Sequence, residues 1–119
     1  MTTPTTRPED KWVAEVARFY NEKRGDLPTA HEAAKMLASE WEELTLGGGS
    51  FPYKPSAAEL KEICDVIYTA IGYGLARGYN VAAAFERVCA SNMTKDGGLV
   101  DGKIQKGPGY IPPALEDLV

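Results

Sequence analysis

Four acidic residues are spaced so that together they could hold divalent cations: Glu40 and Glu43 in SEWEEL, and Glu62 and Asp65 in LKEICDVIYTAIGYGLA. Each pair is i,i+3, and on a helix such residues are neighbours whose like charges repel. A cation between them reverses the sign of that cost. An all-oxygen set suits Mg²⁺ or Mn²⁺ rather than zinc. The second pair makes the stronger demand, because Asp65 is the only charged side chain from Ile63 to Ala76 on a helix apolar nearly all round. Ionised carboxylates are rarely buried unless they are paired or bind a metal. The alternative is that Glu62 reaches solvent and Asp65 pairs with a Lys or Arg from another helix. Spacing alone leaves both open, since ExxE also occurs on solvated helix faces.

Two helices must position these groups. Over residues 60–76, Leu60, Ile63, Cys64, Ile67, Ile71 and Leu75 recur at helical spacing and form an apolar stripe expected to face a core. Glu62 and Asp65 lie on the opposite face with Val66, Thr69, Ala70 and Tyr73. Ser56 and Glu59 match the capping box that opens this helix. Thr29 and Glu32 match the box for the preceding one, which is expected to run to about Leu46 with Ala33, Leu37, Trp41 and Leu44 inward. Ser39 and Glu42 then point to water, and Glu40 falls on the stripe's edge with Glu43 beside it. Joined by the loop LGGGSFPYKP, the two helices can lie antiparallel with their acidic faces meeting. The glycine run reads as a connector, because no GKS/T follows to make it a phosphate loop.

The rest of the chain adds two further helices and a tail. Residues 1–8 read as a disordered lead-in. Trp12, Val13, Val16, Phe19 and Tyr20 predict a helix from Pro8 to about Arg24, with Gly25 at its C-terminal cap. Asn80 caps a helix to about Asn92 or Met93, on which Val81, Ala84, Phe85, Val88 and Asn92 share a face. Asn92 there is either a satisfied core amide or faces a ligand. Beyond it, LVDGKIQ predicts a short hairpin around Asp101-Gly102, and PPALEDLV a closing helical turn. The expected fold is all-α: one four-helix domain over residues 1–119 with a Gly/Pro-rich C-terminal tail.

Composition narrows the function. A net charge of −4 over 119 residues lacks the basic excess of a nucleic-acid-binding domain. One histidine, His31, and two cysteines give little material for a Ser/His/Asp triad or a His-rich zinc site. Cys64 and Cys89 are expected to be small buried hydrophobes in a reducing compartment. No apolar run reaches the length of a membrane span, and MTTPTTRPED has no signal-peptide core, so a cytoplasmic protein is expected.

Glu40-x-x-Glu43, eighteen residues, then Glu62-x-x-Asp65 resembles the ExxE…ExxD signature of the all-α nucleoside triphosphate pyrophosphohydrolases. That superfamily includes MazG, dimeric dUTPases and phosphoribosyl-ATP pyrophosphohydrolase. Ser91-Asn92-Met93-Thr94-Lys95, Asp101-Gly102-Lys103 and Lys106-Gly107-Pro108-Gly109-Tyr110-x-Pro112-Pro113 resemble the SNMSK…DGK…KGPNYxPP tail of phage-type MazG-like proteins. Together the motifs cover about residues 12–115. Ser39 stands where the signature has a first Glu, and Gly109 where the tail has Asn.

The resemblance implies a MazG-like bundle and Mg²⁺-dependent hydrolysis of a nucleoside triphosphate to the monophosphate and pyrophosphate, by water attack at the α-phosphorus. Within the group it leans to the MazZ type acting on dGTP. It implies that Glu40, Glu43, Glu62 and Asp65 are both the metal ligands and the catalytic set, with Mn²⁺ able to substitute. Lys95, Lys103 and Lys106 are candidates for the β and γ phosphates, and Asn92 for orienting substrate. Trp12, Phe19 and Trp41 are candidates for reading the base. It further implies a homodimer or dimer of dimers, in the host cytoplasm if the protein is phage-encoded. The same chemistry on dUTP, a non-standard nucleotide or phosphoribosyl-ATP is the alternative, and outside enzymes a helical oligomerisation or regulatory module.

Overall fold

The computed structural model describes residues 8–46 and 55–119. The N-terminal lead-in and the glycine-rich connector lie outside the described residues. Among the described residues the fold is all-α with four helices: α1 (Pro8–Lys23), α2 (Ala30–Leu46), α3 (Ala57–Ala76) and α4 (Val81–Asn92). A two-stranded ribbon, β1 (Leu99–Val100) and β2 (Lys103–Ile104), and a 3₁₀ turn at Glu116–Leu118 follow. Contacts divide the chain into two compact units, the first ending at Tyr79 and the second running from Asn80 to Val119.

Local signals set the boundaries. Gly25 adopts a left-handed φ of 89° just past α1, where its N–H and that of Arg24 both reach the Tyr20 carbonyl at 2.9 Å. The capping box of α2 closes from both sides: the Glu32 N–H donates to Thr29 Oγ1 at 3.1 Å, and the Thr29 N–H donates to Glu32 Oε1 at 2.9 Å. Ser56 Oγ caps α3 by accepting from the Glu59 N–H at 3.1 Å. Asn80 Oδ1 caps α4 by accepting from the Ala83 N–H at 3.2 Å.

The α2 box carries a pH dependence. The Thr29 N–H, the Arg24 guanidinium at 2.9 Å and the Thr29 hydroxyl hold the Glu32 carboxyl down at about 2. Because the folded value lies below the unfolded one, this contribution is present above the ordinary value of 4.5 and is lost as pH falls toward 2. Glu32→Gln should lower the melting temperature at neutral pH by roughly 3–5 °C. It should also flatten the acid arm of the stability profile over that window, as read by circular-dichroism melts across pH.

In the first unit α3 packs chiefly on α2 and also on α1. Val16, Tyr20 and Ile71 form the core, with Val13, Met36, Tyr68 and Leu75 packed around them. The Tyr20 ring lies over Gly72, where a Cβ would sit 3.0 Å from the phenolic oxygen, so α1 and α3 approach closely there. Phe19 meets Tyr20 and Tyr68 edge to face at 5.3 and 5.6 Å.

The expected inward stripe of α3 is a correction. Leu60, Ile63 and Ile67 are 62%, 41% and 44% exposed, and of the six stripe residues only Ile71 is buried. Instead α2 covers the face bearing Glu62, Asp65, Val66 and Thr69, all of them half-buried. The helix is apolar on two sides, and the hairpin partner can occupy only one. Cys64 and Cys89 are likewise exposed free thiols rather than buried ones, Cys64 because it belongs to the uncovered stripe. Trp41 at 56% and Phe85 at 50% also stand further out than their stripes suggest.

Candidate metal centre

Antiparallel packing of α2 and α3 brings Glu40, Glu62 and Asp65 together. One carboxylate oxygen from each lies within 4.8 Å of the others, a separation that one cation can bridge. All three residues are half-buried. Their oxygens are not equally supplied. Asp65 Oδ2 accepts from Lys61 Nζ at 2.7 Å, whereas Glu40 Oε2 and Glu62 Oε2 are shut off from solvent with no hydrogen-bond partner among the described residues. Burial pushes the Glu62 carboxyl upward, and the Glu43 carboxylate beside it pushes further in the same direction. Glu43 thus adjoins Glu62 at the margin of the triad, with Ser39, Glu42 and Glu43 all exposed.

Neither form of the expected alternative holds in full. Asp65 has a basic partner, but it comes from one turn back on the same helix and sits at the surface, its side chain 71% exposed. Glu62 keeps one oxygen out of solvent instead of extending into it. A buried acceptor without a donor costs free energy. Three carboxylates with two such oxygens suit a hard divalent cation, which takes oxygen ligands and needs no donor hydrogen. Glu40, Glu62 and Asp65 therefore fit as direct ligands, and Glu43 as a ligand or as an acceptor at the edge.

The same two helices bound an apolar recess of about 400 Å³ lined by Ala34, Leu37, Ala38, Trp41 and Tyr73. Trp12 instead lines a groove of about 320 Å³ between α1 and α3 with Val16, Cys64, Ile67, Tyr68 and Ile71. Phe19 packs on aromatic neighbours within α1 and α3.

The second unit carries the other expected site residues. Asn92 ends α4 and is exposed, so it is not a core amide; the buried polar group beside it is Ser91, whose hydroxyl donates to the Ile111 carbonyl at 2.6 Å. Thr94 Oγ1 accepts from the Ile111 N–H at 2.8 Å, and Arg87 grips both Asp117 oxygens at 2.6 and 3.1 Å. These bonds hold the Gly/Pro-rich tail against α4. The ribbon turns at Asp101 and Gly102, with φ of 51° and 75°, and pairs Leu99 with Ile104 and Val100 with Lys103.

Lys95 is half-buried, while Lys103 and Lys106 are exposed. Lys106 Nζ lies 5.0 Å from the Tyr110 ring centroid, a cation–π contact that orients it. Asp96 was not singled out by sequence, yet both its oxygens accept from the Gly109 N–H, at 3.2 and 3.1 Å. A Cβ at position 109 would stand 2.6 Å from Asp96 Oδ2, the end of a side chain that can rotate aside, so sterics alone do not require a glycine there.

No family model fits the chain, and no curated protein matches its sequence.

Proposed function

We propose that the protein is a Mg²⁺-dependent pyrophosphohydrolase of the MazG-like type, converting a nucleoside triphosphate to its monophosphate and pyrophosphate. The observation that carries this is the meeting of Glu40, Glu62 and Asp65 with two buried, partnerless carboxylate oxygens among them. Charge on Glu62 is disfavoured by burial and by the Glu43 carboxylate, a state that a bound cation would relieve. When bound, Mg²⁺ would supply charge neutralisation of the phosphate chain and acidify water at the site. Glu40, Glu62 and Asp65 would hold it, and Glu43, beside Glu62, would accept a proton from the attacking water.

Trp41 is the favoured base-reading residue of the three candidates, because it lines the recess on the helices that carry the acids. Lys95, Lys103, Lys106 and Asn92 are proposed for phosphate and sugar contacts, and dGTP or GTP is the first substrate to try. The uncovered apolar stripe of α3 supports a homodimer or homotetramer, since exposed apolar patches of this kind mark interaction surfaces. No helix among the described residues is long and apolar enough to cross a membrane, and a cytoplasmic location is proposed.

A panel of nucleoside triphosphates incubated with Mg²⁺ and scored for monophosphate and pyrophosphate tests the reading. Equimolar release of both products, abolished by EDTA, is the expected result for at least one nucleotide. Orthophosphate as the first product, or no turnover of any nucleotide, would overturn it. Light scattering on the same preparation should give a dimer or tetramer mass.

A further inference from the structure

We infer that Lys61 is an internal counter-ion of the acidic site, holding in the metal-free protein one oxygen of a carboxylate that a divalent cation would also take. The inference rests on reading Glu40, Glu62 and Asp65 as a cation site. Lys61 lies four residues before Asp65 on α3, and its ammonium reaches Asp65 Oδ2 at 2.7 Å. Lys61 is the only basic side chain that bonds to any of the three acids among the described residues.

An ammonium and a divalent cation held on one carboxylate repel each other strongly. Loading the site is then an exchange in which Lys61 leaves Asp65 as the cation arrives. The geometry makes the exchange easy: the Lys61 side chain is 71% exposed, so it can swing into water, while Asp65, at 30%, stays in place. In the metal-free state Lys61 offsets part of the repulsion among the acids. In the loaded state that attraction is a competitor, and it sets how much free cation the site needs.

Isothermal titration of the full chain with Mn²⁺ alone, with melts in EDTA and in Mn²⁺, tests this on wild type, Lys61→Met and Lys61→Arg. Lys61→Met should bind Mn²⁺ about three- to tenfold more tightly than wild type. It should melt lower in EDTA and gain more from Mn²⁺. Lys61→Arg keeps the charge and should stay near wild type. If Lys61→Met melts lower but binds Mn²⁺ with wild-type or weaker affinity, Lys61 is an ordinary surface pair and the inference falls while the cation site stands. If neither wild type nor Lys61→Met binds Mn²⁺, the cation site itself falls and takes the inference with it.

Discussion

Glu62→Gln should stop the proposed nucleotide hydrolysis and, in the same protein, raise the melting temperature measured in EDTA. The activity loss is expected on the order of 10³-fold or more, because a neutral amide neither holds a divalent cation nor balances its charge. The stability gain has a separate cause. Glu62 Oε2 is buried without a partner, and the Glu43 carboxylate stands beside it. An amide of the same shape can donate to the neighbouring acids and removes one of the mutually repelling charges. A rise of roughly 2–5 °C is expected for a chain of this size.

The pH dependence fixes the interpretation. Burial first, and Glu43 second, raise the folded value of Glu62 above the ordinary 4.5. Such an acid favours folding only while protonated, so its contribution is lost as pH rises through the raised value, and ionised Glu62 costs stability at neutral pH. The advantage of Glu62→Gln should therefore be present near neutral pH and vanish below the ordinary carboxylate value. Asp65→Asn provides the contrast: activity is lost equally, but the melting temperature in EDTA should fall, because the bond to Lys61 is weakened. Wild-type turnover in either variant would remove these residues from the site.

Gly97→Ala should have the largest effect in the second unit. A Cβ at position 97 would lie 2.6 Å from the Lys106 carbonyl oxygen and 2.8 Å from that of Gln105. Both are backbone atoms, so no flexible side chain can move aside. The Gly97 N–H donates to the Gln105 carbonyl at 2.9 Å, and the Gln105 N–H returns to Gly98 at 2.9 Å, so the collision falls on the closure of the tail itself. The cost is expected at about 2–3 kcal/mol from overpacking and lost hydrogen bonds. Hydrogen exchange should report it as amide rates at Gln105 and Gly109 faster by on the order of 10- to 100-fold. Protection unchanged from wild type would mean that the return of residues 105–109 over Asp96 is not what holds the tail.

Helix limits were readable because they are decided by nearest neighbours along the chain. Thr29 and Glu32, Ser56 and Glu59, Asn80, and Gly25 each act within about one turn, and each sits where the spacing puts it. The hairpin turn at Asp101-Gly102 was readable for the same reason. Glu40, Glu62 and Asp65 could be picked out as candidates because like charges at i,i+3 on a largely apolar helix need an explanation. The Lys61 partner has a signal of its own, a basic residue four positions before Asp65 on the same helix.

What sequence could not decide was which side of α3 its neighbours cover. Leu60, Ile63, Cys64 and Ile67 and the face bearing Val66 and Thr69 are both apolar enough to be buried, and periodicity only measures the contrast between them. The choice is made by α2, which is tied to α3 through a short connector and packs on the acidic side. That packing brings Glu40 to Glu62 and Asp65 and strands two carboxylate oxygens. The tail likewise depends on distant pairs: Ser91 with Ile111, Arg87 with Asp117, and Asp96 with Gly109. The chain itself determined where its helices start and stop and which acids could act together. Only the tertiary structure decided which acids meet and which apolar face is left open, because those outcomes depend on competition between surfaces far apart in sequence.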